Sequence, residues 1–111
     1  MPFRYEEIID STADVIDTFG ADTGGKVVGH FTQLVWANTS HIGCALSKDT
    51  GYTYLACNYG DGGNIIELPV YKRGTPCSEC ESGTKCHPIY SGLCGAAKLK
   101  PTLLLIVLVL I

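Results

Sequence analysis

Six cysteines, at positions 44, 57, 77, 80, 86 and 94 of 111 residues, carry the most chemistry in this sequence. The count is even and high for the length, which reads first as three disulfides formed in an oxidising compartment. Four of them form Cys77-x2-Cys80-x5-Cys86-x7-Cys94, a spacing open to two readings: a knot of two disulfides, or a zinc site with His87 as an alternative ligand. Zinc sites usually set one close Cys pair against a second close Cys or His pair, and the looser second spacing here favours disulfides. Redox catalysis by Cys77-Ser78-Glu79-Cys80 would need a surrounding βαβ unit, which the pattern lacks. No serine sits in a nucleophile elbow, and the glycine-rich run 59–64 lacks the strand-to-helix context and the Lys-Ser/Thr of a phosphate cradle. Asn38-Thr39-Ser40 is an N-glycosylation sequon, expected on an exposed loop.

These residues need elements to position them. Tyr5, Ile8, Ile9, Thr12, Ile16 and Phe19 recur at helical spacing with acidic residues between them, which predicts an amphipathic helix over 4–17. Residues 20–25 hold three glycines with Asp22 and Thr23 and read as a loop. A short second helix should start near Gly29 or His30, since Phe31, Leu34 and Val35 share a face and Trp36 closes the run before the turn-like 38–40. Ile42, Cys44 and Leu46 alternate with smaller or polar residues, and 52–59 is rich in strand formers, so a hairpin with its turn at 48–51 follows. Counting outwards from that turn puts Leu46 opposite Leu55 and Cys44 opposite Cys57. Opposed strand residues have Cβ atoms about 4.5–5.5 Å apart, near the reach of a disulfide, so Cys44–Cys57 is expected. Residues 59–64 should form a tight loop, with a short strand at Ile65-Ile66.

The composition places this frame among globular proteins. Eight Lys+Arg against eleven Asp+Glu give a net charge of −3, and without a basic run a nucleic-acid partner is excluded. A hydrophobic share of 46% argues against disorder. The length allows one small domain, expected to end near 76 where the composition turns to Gly, Pro and Cys; a cysteine-rich segment 77–94 and a linker with apolar tail, 95–111, follow. Met1-Pro2-Phe3-Arg4-Tyr5-Glu6-Glu7 lacks the apolar core of a secretory leader, so either the protein is cytosolic or the sequence begins inside a longer precursor. Residues 103–111 are nine apolar residues in a row, short of the ~20 that span a membrane. They read as part of a membrane helix, as a lipid-anchor signal behind the small residues 95–97 and a polar spacer, or as a packed segment; membrane attachment suits them best.

Gly29-His30-Phe31-Thr32-Gln33-Leu34-Val35-Trp36, continued by Ile42-Gly43-Cys44-Ala45, resembles the first signature of the CAP superfamily of cysteine-rich secretory proteins, antigen 5 venom allergens and pathogenesis-related proteins. Cys57-Asn58-Tyr59-Gly60-Asp61-Gly62-Gly63-Asn64 resembles the second, with Asp61 where Pro is usual. The resemblance runs from about Tyr5 to Cys94. It implies an α+β fold, the C-terminal part of an α-β-α sandwich followed by a disulfide-rich hinge, with Cys77 paired to Cys86 and Cys80 to Cys94. It also implies a cleft in which two His and two Glu hold a divalent metal, zinc for instance, in the complete domain. His30 matches one of those histidines, and Tyr5-Glu6-Glu7 resembles the helix that supplies a glutamate, making Glu7 its candidate. Arg4 stands where Trp is usual, and the other His and Glu belong to an N-terminal region outside these residues.

The function so implied is a secreted or surface-anchored, non-enzymatic binding module that needs no cofactor and takes a lipid, sterol or extracellular protein partner. The alternative is a metal-dependent hydrolase in which a Glu and a His on adjacent helices do general acid–base work. A lone His at a helix start is more often a capping or packing residue. A channel-blocking toxin fits less well, because the apolar tail stands where such relatives append a further cysteine-rich module.

Overall fold

The structure, a computed structural model, describes residues 2–96. The expected tail at 103–111 lies outside them, and no helix among the described residues is long and apolar enough to cross a membrane. The chain divides between Lys72 and Arg73 into two compact units.

The first unit opens with α1 (Pro2–Glu6), a 3-10 turn over Glu7–Asp10, and α2 (Ala13–Asp17). The single helix predicted over 4–17 is therefore broken, and Ser11-Thr12 breaks it. The Ser11 hydroxyl donates to the Glu7 carbonyl at 3.0 Å, and Thr12 caps α2 by accepting from the Val15 N–H at 3.4 Å. Short hydroxyl side chains compete for backbone groups inside a helix and stabilise its start, so the apolar period ran across a cap. Ile9, in the 3-10 turn, is 84% exposed, while Val15 and Ile16 of α2 are buried.

α3 (Gly29–Leu34) begins where the sequence placed it. Its buried Phe31 packs with Ile16, Trp36 and Val70, and Phe19 and Val35 close the cluster. Tyr5 meets Phe31 edge-on at 5.9 Å, and Phe19 meets Trp36 in the same manner. Residues 65–70 form no strand, correcting the expectation for Ile65-Ile66. They run as a tether, in which the Glu67 N–H donates to the Phe19 carbonyl, the Phe19 N–H to Leu68, the Val70 N–H to Ile16 and the Ala37 N–H to Val70. Val70 is buried at its end, which its isolated position in sequence could not indicate.

β1 (His41–Asp49) and β2 (Tyr52–Gly60) pair antiparallel through the two-residue turn Thr50-Gly51, with Leu46 opposite Leu55 and Cys44 opposite Cys57. Gly51 holds φ at +85°, a conformation that disfavours side chains with a Cβ. All of β1 is exposed, whereas Leu55, Cys57 and Tyr59 on β2 are half-buried. In the second unit, β3 (Thr84–Cys86) pairs with β4 (Cys94–Ala96), placing Cys86 opposite Cys94.

Candidate functional site

The start of α3 is the chemical centre of the first unit. No side chain of α3 itself caps it: Val28 precedes Gly29, and the first N–H groups of a helix lack partners within it. Glu7 fills the gap from 23 residues upstream. Its Oε2 accepts from the backbone N–H of His30 and of Phe31, each at 2.9 Å, and its Oε1 lies 2.7 Å from His30 Nδ1. Glu7 opens the 3-10 turn that follows α1, and its side chain reaches the first turn of α3.

Burial by itself raises the Glu7 carboxyl pKa. It is outweighed by the Phe31 N–H, by the His30 side-chain bond and charge, and by the His30 N–H, so the pKa is lowered from 4.5. An ionised carboxylate can only accept, so His30 Nδ1 carries the proton of their shared bond and Nε2 is left free. The Glu7 side chain is 14% exposed and that of His30 58%.

His30 lines a cleft of about 430 Å³ together with Arg4, Val27, Gly29, Gln33 and Tyr59, among others. The loop 61–64 forms one wall, and α3 holds it through side chains. Gln33 Oε1 accepts from the Gly63 N–H at 2.7 Å, and Gln33 Nε2 donates to Thr39 Oγ1 at 3.0 Å, which donates to the Asp61 carbonyl. Buried Thr32 donates to Asn64 Oδ1 at 2.6 Å, and Asn64 Nδ2 donates to the Gly29 carbonyl at 2.8 Å. The two sequence signatures thus form one hydrogen-bonded body. Sequence reasoning singled out His30 and Glu7 but missed Gln33, Thr39 and Asn64 as its links; Gln33 and Asn64 were marked only by their place inside the two runs, and Thr39 only by the sequon.

The chain matches the CAP model, described as the cysteine-rich secretory protein family, over residues 1–59. It belongs to that family. This CAP chain is 44% identical over 91 residues to a scoloptoxin of Scolopendra dehaani, an alignment covering 81% of the chain and 41% of the relative. It is 37% identical over 84 residues to the Ancylostoma secreted protein of Ancylostoma caninum (76% and 20%), and 37% identical over 103 residues to venom allergen 5 of Tityus serrulatus (81% and 24%). Among solved structures, the hookworm platelet inhibitor superposes with a TM-score of 0.72 at 22% identity, covering 89% of the CAP chain and 53% of that chain. The fold is therefore that of a CAP protein. The chain spans about two fifths of the length of the scoloptoxin it matches.

The expected metal set can be examined at two places in the CAP chain. At α3, both Glu7 oxygens already accept from donors and His30 Nε2 has no partner among the bonds described, which is the carboxylate–histidine arrangement that orients an imidazole toward a metal. In the second unit, the sulfurs of Cys77, Cys80 and Cys94 lie within 4.8 Å of one another, the one group of three metal-type donors among the described residues. They are not thiolates. Cys77 is joined to Cys86 and Cys80 to Cys94, Cys44 is joined to Cys57, and no described cysteine is free. His87, the alternative zinc ligand, accepts instead from the N–H groups of Ile89 and Tyr90 at Nδ1 and stacks on the Tyr90 ring.

Proposed function

We propose that this chain is part of a secreted, venom allergen-like CAP protein that binds a partner and does not turn it over. The observation that carries the reading is the engagement of Glu7, both of whose oxygens already hold the start of α3. A carboxylate already accepting two backbone N–H groups and an imidazole is a helix cap, and using it as a general base would cost those bonds. Every described cysteine is in a disulfide, so no thiol nucleophile stands beside it. The names of its relatives, a scoloptoxin, a secreted protein and a venom allergen, support an extracellular setting. Between a lipid or sterol and an extracellular protein as partner, the cleft favours the small amphipathic molecule. Its volume falls within the range of small-ligand sites, and the aromatic ring and polar groups of Tyr59, Gln33 and His30 line it.

The hydrolase reading draws on one specific feature, the free Nε2 of a histidine whose other nitrogen is pinned. A divalent metal would be held there by His30 with Glu7 orienting the ring, and when bound it would supply Lewis-acid activation of water. A catalytic zinc normally takes three protein ligands, and one is on offer here.

Titrating the full chain with a fluorescent sterol, and assaying a p-nitrophenyl ester with and without added zinc, separates the two. Saturable sterol binding with ester turnover no greater than that of His30→Ala is the expected result. Zinc-stimulated turnover that disappears in His30→Ala would overturn the non-enzymatic reading.

A further inference from the structure

We infer that Asn38 carries an N-linked glycan in the exported protein, an inference that rests on the secreted reading above. Asn38-Thr39-Ser40 is the one Asn-x-Ser/Thr triplet in the 111 residues, x being other than Pro. The fold places it in the turn between the end of α3 and the start of β1, with Asn38 exposed.

The backbone on either side of Asn38 is anchored without its side chain. The Ala37 N–H donates to the Val70 carbonyl at 2.9 Å, the Thr39 N–H to Trp36 at 3.2 Å and the Ser40 N–H to Gly60 at 3.3 Å. Thr39 is further held by Gln33 and Asp61. A substituent on the Asn38 amide therefore leaves from a fixed turn into solvent and displaces none of these bonds.

What the turn borders gives the sugar something to do. Leu34, Trp36, Thr39, Ser40, His41 and Ile42, among others, line a depression of about 180 Å³, and Ile42 is 50% exposed. Sugar rings present apolar faces as well as hydroxyls, so a glycan at Asn38 shields this patch and keeps a hydrated surface over it.

The transfer takes its sugar from a lipid pyrophosphate-linked oligosaccharide. A bond forms between Asn38 Nδ2 and the anomeric carbon, the anomeric C–O bond to pyrophosphate breaks, the lipid pyrophosphate leaves with the electron pair, and the amide gives up one proton. No residue of this chain is oxidised or reduced.

The test expresses the full chain behind a secretory leader in insect cells and follows it by gel mobility before and after peptide N-glycosidase, in both medium and cells. Sugar transfer precedes export, so the cellular pool reports on Asn38 even if nothing reaches the medium. The expected result is a glycosidase-sensitive band, lost in Asn38→Gln and in Ser40→Ala and retained in Ser40→Thr, with Asn38 converted to Asp in the treated peptide. Exported protein with unmodified Asn38 overturns the inference while leaving secretion intact. Glycosylated protein that accumulates inside the cell leaves the site standing and counts against the secreted reading.

Discussion

Glu7 and His30 are bound twice over: the carboxylate takes the imidazole Nδ1 at 2.7 Å on one oxygen and the His30 backbone N–H at 2.9 Å on the other. One side chain thus fixes both the start of α3 and the tautomer of its second residue. The cap and the ring pair are unequal in worth, because the Phe31 N–H bond to the same carboxylate is part-buried while the His30 ring is 58% exposed and its pairing is screened by water.

That inequality sets the first prediction. Glu7→Ala leaves the His30 and Phe31 N–H groups without their acceptor and should cost about 1–2 kcal/mol. His30→Ala loses only the screened pair and should cost less than about 1 kcal/mol. Urea unfolding of the three proteins checks the order, and an equal loss in both variants would mean that the exposed pair, not the cap, carries the energy.

Acid should remove the same contribution. The Glu7 pKa is lower in the folded chain than the ordinary 4.5, so the unfolded chain binds the proton more readily. The stabilisation is fully present above 4.5 and is lost as the pH falls through the lower folded value. The stability difference between wild type and Glu7→Gln should therefore be constant near pH 6 and shrink toward pH 3. A difference that stays the same in acid would place the carboxylate outside the hydrogen bonds described.

Gly63 lies under the indole of Trp36. A Cβ built there would sit 2.5 Å from Trp36 Cγ and 2.6 Å from Cδ2, whereas one on neighbouring Gly62 meets nothing closer than the Tyr59 carbonyl at 3.9 Å. Gly63→Ala should lose about 1–3 kcal/mol by overpacking and shift the tryptophan fluorescence, with Gly62→Ala close to wild type. Equal stability for the two alanine variants would contradict the packing of the loop on Trp36.

The sulfurs make a prediction by mass. Alkylation of the unreduced protein should add nothing, and alkylation after reduction should add six groups. Removing the hairpin bond with Cys44→Ser and Cys57→Ser should cost about 3 kcal/mol, the loss expected for a loop of this size. Thiols reactive without reductant would reopen the zinc reading of the cysteine cluster.

The hairpin was legible because its determinants are local. A turn, a two-residue alternation and two opposed cysteines specify a register within twenty residues, and β1 and β2 follow it to Leu46 and Leu55. The helix over 4–17 was misread for the opposite reason. Its apolar period is real, but two hydroxyl residues at 11 and 12 outcompete it through backbone bonds, and period alone takes no account of caps. Ile65-Ile66 was misread because β-branched residues also suit a segment held by scattered backbone bonds, here to Ile16, Phe19 and Ala37.

Within the site, residue types and order mark the start of α3, the glycine-rich loop and the crosslinked hairpin, since each depends on neighbours close in the chain. Only the folded arrangement decides that Glu7 caps a helix 23 positions away, that Gln33 and Thr32 hold the loop 61–64, and that Val70 is buried. Those are contacts between distant segments, and no periodicity or spacing encodes them: they follow from which faces meet once the apolar surface of Ile16, Phe31 and Trp36 has been removed from water.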